Sequence, residues 1–184
     1  MEFPSQFNEH WALDPKILKN YAVHYQTGEP IPQSLLTKIK NASSFNIGYE
    51  TAEAMEGSLL DLQWHKIAPG TSVKNVDKFE KEALQSSGLD IPQVPPRYRS
   101  TYFSHIFSGG YAAGYYSYQW TKMLAEDMYA WFVQHGGLTK ANGQRFRNMV
   151  LSNGSSMDYN KMYKDFSGRT PDIKPYKKAL GLPD

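Results

Sequence analysis

Residues 111–134 read YAAGYYSYQWTKMLAEDMYAWFVQ, with no proline and with apolar side chains recurring three and four positions apart. That spacing is the signature of an amphipathic helix, and His135-Gly136-Gly137 directly after it supplies the glycines that end one. The run predicts a long helix from about Tyr111 to Gln134. Upstream, Thr101 to Phe107 is a further segment, separated from the long helix by the Ser108-Gly109-Gly110 break. The stretch before that, Ile91 to Arg99, contains Pro92, Pro95 and Pro96, which hold it extended as a loop.

The rest of the chain is punctuated in the same way. Asp14-Pro15 is a cap followed by proline at the first helical position, predicting a helix from Pro15 to Gln26 that ends near Gly28; Pro30 and Pro32 then mark a connection. Ser34 is placed to cap a segment whose apolar positions are Leu35, Leu36 and Ile39, and Ile47 to Ile67 reads as a helix stopped by Pro69-Gly70. A short helix over Asp77 to Gln85 closes at Gly88. Thr139 is expected to cap a helix ending near Asn153-Gly154, and Ser156 one ending near Gly168, with a partly ordered tail after Pro171. No run of alternating β-branched residues suggests a strand, so the fold class is all-α, and with no internal repeat or low-complexity linker the 184 residues read as a single helical domain.

Composition excludes several function classes. Twenty Lys+Arg against eighteen Asp+Glu leave a net charge of +2, and the basic residues are scattered, which speaks against a nucleic-acid partner. No apolar run approaches the roughly 20 residues of a membrane span. The absence of cysteine removes disulfides, thiolate metal ligands and cysteine nucleophiles together. The five histidines are separated by 14, 41, 40 and 30 positions, so no pair sits four apart on a helix face as a zinc-hydrolase motif requires. No G-x-S-x-G turn exists to expose a serine nucleophile.

The thirteen tyrosines are the unusual feature. On a helix, Tyr111, Tyr115 and Tyr118 fall within about 40° of one face while Tyr116 points away. A protonated phenol can donate a hydrogen bond to a developing oxyanion, and the small residues Ala112, Ala113 and Gly114 leave room for a peptide backbone to approach. On spacing alone, an aromatic stripe packed into a core is the commoner origin of such a face. His105, just upstream, has the chemistry of a donor or proton carrier but is by residue type more often structural. Glu2 and Glu9 are seven apart and share a face if helical, a pattern more common on solvated surfaces than in metal sites.

Two stretches taken together resemble one family. Glu2-Phe3-Pro4-Ser5-Gln6-Phe7-Asn8-Glu9-His10-Trp11 resembles the segment carrying the third zinc ligand of the thimet-oligopeptidase family of zinc metallopeptidases, and His105 to Tyr118 resembles its substrate-binding motif. Pro95-Pro96-Arg97-Tyr98-Arg99-Ser100, Phe45-Asn46-Ile47-Gly48-Tyr49-Glu50 and Gly136-Gly137-Leu138-Thr139 resemble its bacterial peptidyl-dipeptidase branch. The resemblance implies that Glu2 completes a two-histidine, one-glutamate Zn2+ site, with Glu9 as a carboxylate behind it. It implies that His105 and Tyr111 flank the scissile bond and that Tyr115 and Tyr118 contact substrate or stabilise the tetrahedral intermediate. Arg97 and Arg99 are candidates, by proximity in sequence, for the carboxylate at the end of the substrate. The implied substrates are short peptides, cleaved to release carboxy-terminal dipeptides, in the cytoplasm.

The H-E-x-x-H segment that supplies the family's other ligands and its general base is absent from these residues. The expectation is therefore a carboxy-terminal portion of a longer enzyme, inactive without its amino-terminal part and prone to self-association through uncovered apolar surface. The competing expectation is a non-catalytic all-α module that binds peptides or a protein partner through the tyrosine face.

Overall fold

In the computed structural model, which describes residues 2–183, every regular element among the described residues is helical, and Val23 with Pro30 forms an isolated antiparallel bridge. The chain divides into two compact units, one made of Met1–Ser44 with Thr121–Asp184 and the other of Phe45–Trp120.

Helix α1 (Phe3–Glu9) has proline at its start and passes into a 3-10 turn over His10–Leu13. Asp14 caps α2 (Pro15–Leu18) by accepting from the Lys16 amide at 2.8 Å. The cap is where the sequence places it, but the helix stops after four residues instead of reaching Gln26. Beyond Leu18 the side chains of Tyr21, Val23 and Tyr25 are exposed, so burial rewards no further turn. The chain reverses instead, with the His24 amide donating to Glu29 O and the Ile31 amide to Ala22 O. Helix α3 (Gln33–Ala42) starts directly after the extended Pro32, without the side-chain cap expected from Ser34.

The second unit begins with α4 (Ile47–His65), within two residues of its predicted limits, and α5 (Val76–Ser86), capped by Asn75. The proline segment after α5 carries no helix or strand, as its composition requires. Thr101 to Phe107 breaks into a 3-10 turn (Ser100–Tyr102) and α6 (Ser104–Phe107).

The long helix, α7 (Ser117–Gln134), starts six residues later than its spacing predicts. Ala113 stands in the left-handed region at φ 53, and the amides of Ala113 and Tyr115 are taken by the carboxylate of Asp61, so neither can enter a helical ladder. The Gly114 amide closes a tight turn onto Tyr111 O at 2.8 Å. Tertiary hydrogen bonds here override local propensity.

The chain re-enters the first unit within α7. Thr139 caps α8 (Lys140–Met149) as expected, and a 3-10 turn over Leu151–Asn153 follows. Asp158, not Ser156, caps α9 (Tyr159–Ser167), accepting from the Lys161 amide at 2.8 Å while Ser156 Oγ donates to Asn153 O. Gly168 ends α9 in the left-handed conformation at φ 78, and the tail beyond Pro171, expected to be partly ordered, forms α10 (Lys174–Ala179).

The core of the first unit is aromatic. Phe7 packs 4.6 Å from Phe146 and 4.9 Å from Phe132 by ring centroids, and Trp131 lies 4.7 Å from Phe166. Fully buried Asp127 ties the last segment down: it accepts from Tyr163 Oη at 2.6 Å, from both terminal nitrogens of Arg169 and from the Asp172 amide. Burial opposes its ionisation, but these donors outweigh that and hold its carboxyl below the usual range.

Candidate functional site

Four of the residues singled out from sequence come together in the second unit. The His105 ring centroid lies 5.9 Å from that of Tyr111, 5.6 Å from Tyr115 and 6.3 Å from Tyr118. Tyr118 stacks on Tyr111 at 5.2 Å and tilts against Tyr115 at 5.1 Å. Only Tyr118 belongs to α7, so a compact turn, not a helix face, gathers the phenols. Tyr116 points into solvent, as expected.

Helix α4 positions this turn with two of its residues one helical turn apart. Asp61, fully buried, accepts from the Ala113 amide with Oδ1 and from the Tyr115 amide with Oδ2, each at 2.9 Å. At Gly57 the Tyr115 ring lies against the helix so closely that a Cβ there would meet its Cε1 at 3.3 Å. A second close approach occurs at Gly109, where a Cβ would stand 2.9 Å from the His105 carbonyl oxygen. Phe103, Ile106 and Tyr115 form the buried floor, while His105, Tyr111 and Tyr118 are half-buried and keep access to solvent. Burial, with the neighbouring Tyr98, pushes the Tyr115 phenol up to about 12 against the opposing pull of Arg97, so it carries its proton at neutral pH.

The two arginines differ. Exposed Arg97 pairs with Glu53 at 3.2 Å and lies over the Tyr98 ring. Arg99 is held by Glu80 at 2.5 Å and Asp77 at 3.3 Å, and the same Glu80 accepts the Ser100 amide. Both guanidiniums therefore already have carboxylate partners, and Arg99 fastens the proline segment onto α5.

Glu2 and Glu9 belong to the first unit. Glu2 is half-buried ahead of α1, its carbonyl accepting from the Gln6 amide and Ser5 Oγ. Glu9 is exposed and lines a cavity of about 400 Å³ with His10, Lys122, Glu126 and Tyr129. His10 stacks on Tyr129 at 4.2 Å and faces Glu126 at 3.6 Å. Burial, with Lys122, lowers the imidazole's pKa, and burial raises that of the Glu126 carboxyl. Among the described residues no three His, Cys, Asp or Glu side chains gather as metal ligands. The described side chains do not, by themselves, fit a complete zinc site; Glu2 carries one carboxylate.

The model of peptidase family M3 matches residues 1–182. The chain belongs to peptidase family M3. It is 51% identical over 182 residues to the dipeptidyl carboxypeptidase of Escherichia coli (strain K12), covering 99% of this chain and 27% of that protein. It is 50% identical to the protein of the same name from Salmonella typhimurium and 34% identical to oligopeptidase A of Escherichia coli, with similar coverage of each. This M3 chain thus spans about a quarter of the length of the curated relatives it matches. No helix among the described residues is long and apolar enough to cross a membrane.

Sequence reasoning missed Asp61, Gly57 and Glu56. The available signal was Leu59-Leu60-Asp61-Leu62, a carboxylate inside an apolar run, which in a soluble helix means a buried acid with a dedicated partner.

Proposed function

We propose that this chain supplies the substrate-facing aromatic part of a zinc peptidase that hydrolyses short peptides in the cytoplasm and releases carboxy-terminal dipeptides. The observation that carries the reading is the convergence of the rings of His105, Tyr111, Tyr115 and Tyr118, of which His105, Tyr111 and Tyr118 keep access to solvent. Such donors suit the oxyanion that forms when a peptide carbonyl is attacked, and each well-placed one is worth roughly 3 kcal/mol in the transition state. Tyr111 and Tyr118 fit that role best, because they are half-buried, whereas Tyr115 is buried and shapes the floor. The relatives' name, dipeptidyl carboxypeptidase, supports the reaction class, and the branch resemblance supports the compartment. Zinc, when bound, supplies the Lewis acid that polarises the carbonyl and activates water; Glu2 would be this chain's contribution to holding it.

The test replaces the matching segment of the Escherichia coli enzyme with these residues. The chimera is expected to release dipeptides from peptides with a free carboxyl end. Tyr111→Phe and Tyr118→Phe should each lower kcat by about a hundredfold with little change in KM. A folded chimera that binds peptides without cleaving them would favour the binding-module reading instead, and phenylalanine variants with full activity would remove the tyrosines from the chemistry.

A further inference from the structure

The turn that carries the candidate donors is held from one point. Asp61 is fully buried within α4, and its two carboxylate oxygens each accept one amide of the turn, Ala113 N at Oδ1 and Tyr115 N at Oδ2, both at 2.9 Å. The imidazole of His65, one helical turn on, lies with Nδ1 2.8 Å from Oδ1. Between the two bound amides the backbone is unusual: Ala113, a residue with a Cβ, stands at φ 53. Alanine does not adopt that conformation unaided, and a residue kept there must be over-determined by its surroundings. The surroundings are Asp61. The Gly114 amide closes the turn locally onto Tyr111 O at 2.8 Å, and the carboxylate, drawing two amides inward, fastens it to α4 so that the phenols of Tyr111, Tyr115 and Tyr118 converge.

We infer that Asp61 is a positioning residue for this site: it touches no substrate, but it latches the backbone at Ala113 and Tyr115 and thereby sets where the three phenols stand. The consequence for catalysis rests on the peptidase reading above; the latch itself does not.

Two variants approach the latch from opposite sides. Asp61→Asn removes the charge and one acceptor from the buried side. Ala113→Val, at an exposed position, places a β-branched residue where φ is positive and leaves α4 intact. In the 184-residue chain, amide hydrogen exchange at Tyr115 is expected to quicken at least tenfold in both variants and at Ala113 in Asp61→Asn, while amides around Phe132 in the other unit keep their protection. In the chimeric peptidase Asp61→Asn should lower kcat at least tenfold. Asp61→Asn combined with Ala113→Gly should regain at least threefold of that, because glycine occupies the left-handed region freely and a general loss of packing would not respond to it. Unchanged protection of Tyr115 in both variants overturns the inference whatever the peptidase does. Fast exchange with undiminished turnover, or a loss that Ala113→Gly does not relieve, overturns it too. If the parent chimera is inactive, the peptidase reading falls and the exchange result alone decides the latch.

Discussion

Glu56 offers the sharpest thermodynamic test of the second unit. Its side chain is fully buried in α4 and neither carboxyl oxygen has a hydrogen-bond partner. Desolvation, with smaller repulsion from Asp90 and Glu53, raises its pKa from 4.5 to about 7. At about 1.4 kcal/mol per pH unit, that difference between the folded and unfolded chain corresponds to about 3 kcal/mol. The fold tolerates the protonated form, so the stability is fully present below the unfolded value near 4.5 and is lost as pH rises through about 7. Glu56→Met keeps the side chain's volume and removes the ionisation. Urea unfolding followed by circular dichroism at pH 5 and pH 8 should show the parent losing about 2.5 kcal/mol more than the variant across that interval. Ionisable groups common to the parent and the variant cancel in the comparison. Parallel pH dependences would refute the argument and mean that Glu56 finds a partner or water when it ionises.

Two further predictions address a second buried acid, in the other unit, and the glycine turn. Asp127→Asn leaves Arg169 without its counter-charge; because Arg169 is partly exposed, the low end of the range for breaking a buried pair applies, about 3 kcal/mol, which lowers Tm by about 6–12 °C. Calorimetry showing less than a 2 °C change would contradict the hub role, and in the parent protein the contribution of Asp127 should disappear as pH falls below about 4, since its carboxyl is held below the usual range. Gly109→Ala drives a methyl into the His105 carbonyl and should cost the chimera tenfold to about a hundredfold in kcat/KM through displacement of the imidazole; an alanine variant with parent kinetics would show that His105 need not stay where it is.

The helical class, the limits of α4 and the caps at Asp14 and Thr139 could be read from local signals, because each depends on residues within one turn of itself. The three phenols do come together, but not through the helix periodicity that predicts it, since Tyr111 and Tyr115 lie outside α7. What gathers them is Asp61, which lies 52 positions from Ala113, and no local pattern contains that pairing. The short α2 has the same origin: its cap and proline are locally sound, yet the residues after Leu18 meet nothing that rewards burial. The roles of Arg97 and Arg99 looked interchangeable in sequence, and only their partners, Glu53 for one and Glu80 with Asp77 for the other, distinguish them.

The unit Phe45–Trp120 is one uninterrupted stretch, whereas the aromatic core that includes Phe3 and Phe7 also requires Phe132, Phe146 and Phe166. On a ribosome, which delivers the chain in order, the contiguous stretch has all its partners while Phe3 and Phe7 still wait for theirs. Those two phenylalanines must stay unpaired until residues 132–166 have emerged, making the nascent chain in that interval the species in which chaperone binding around Phe3 and Phe7 is expected.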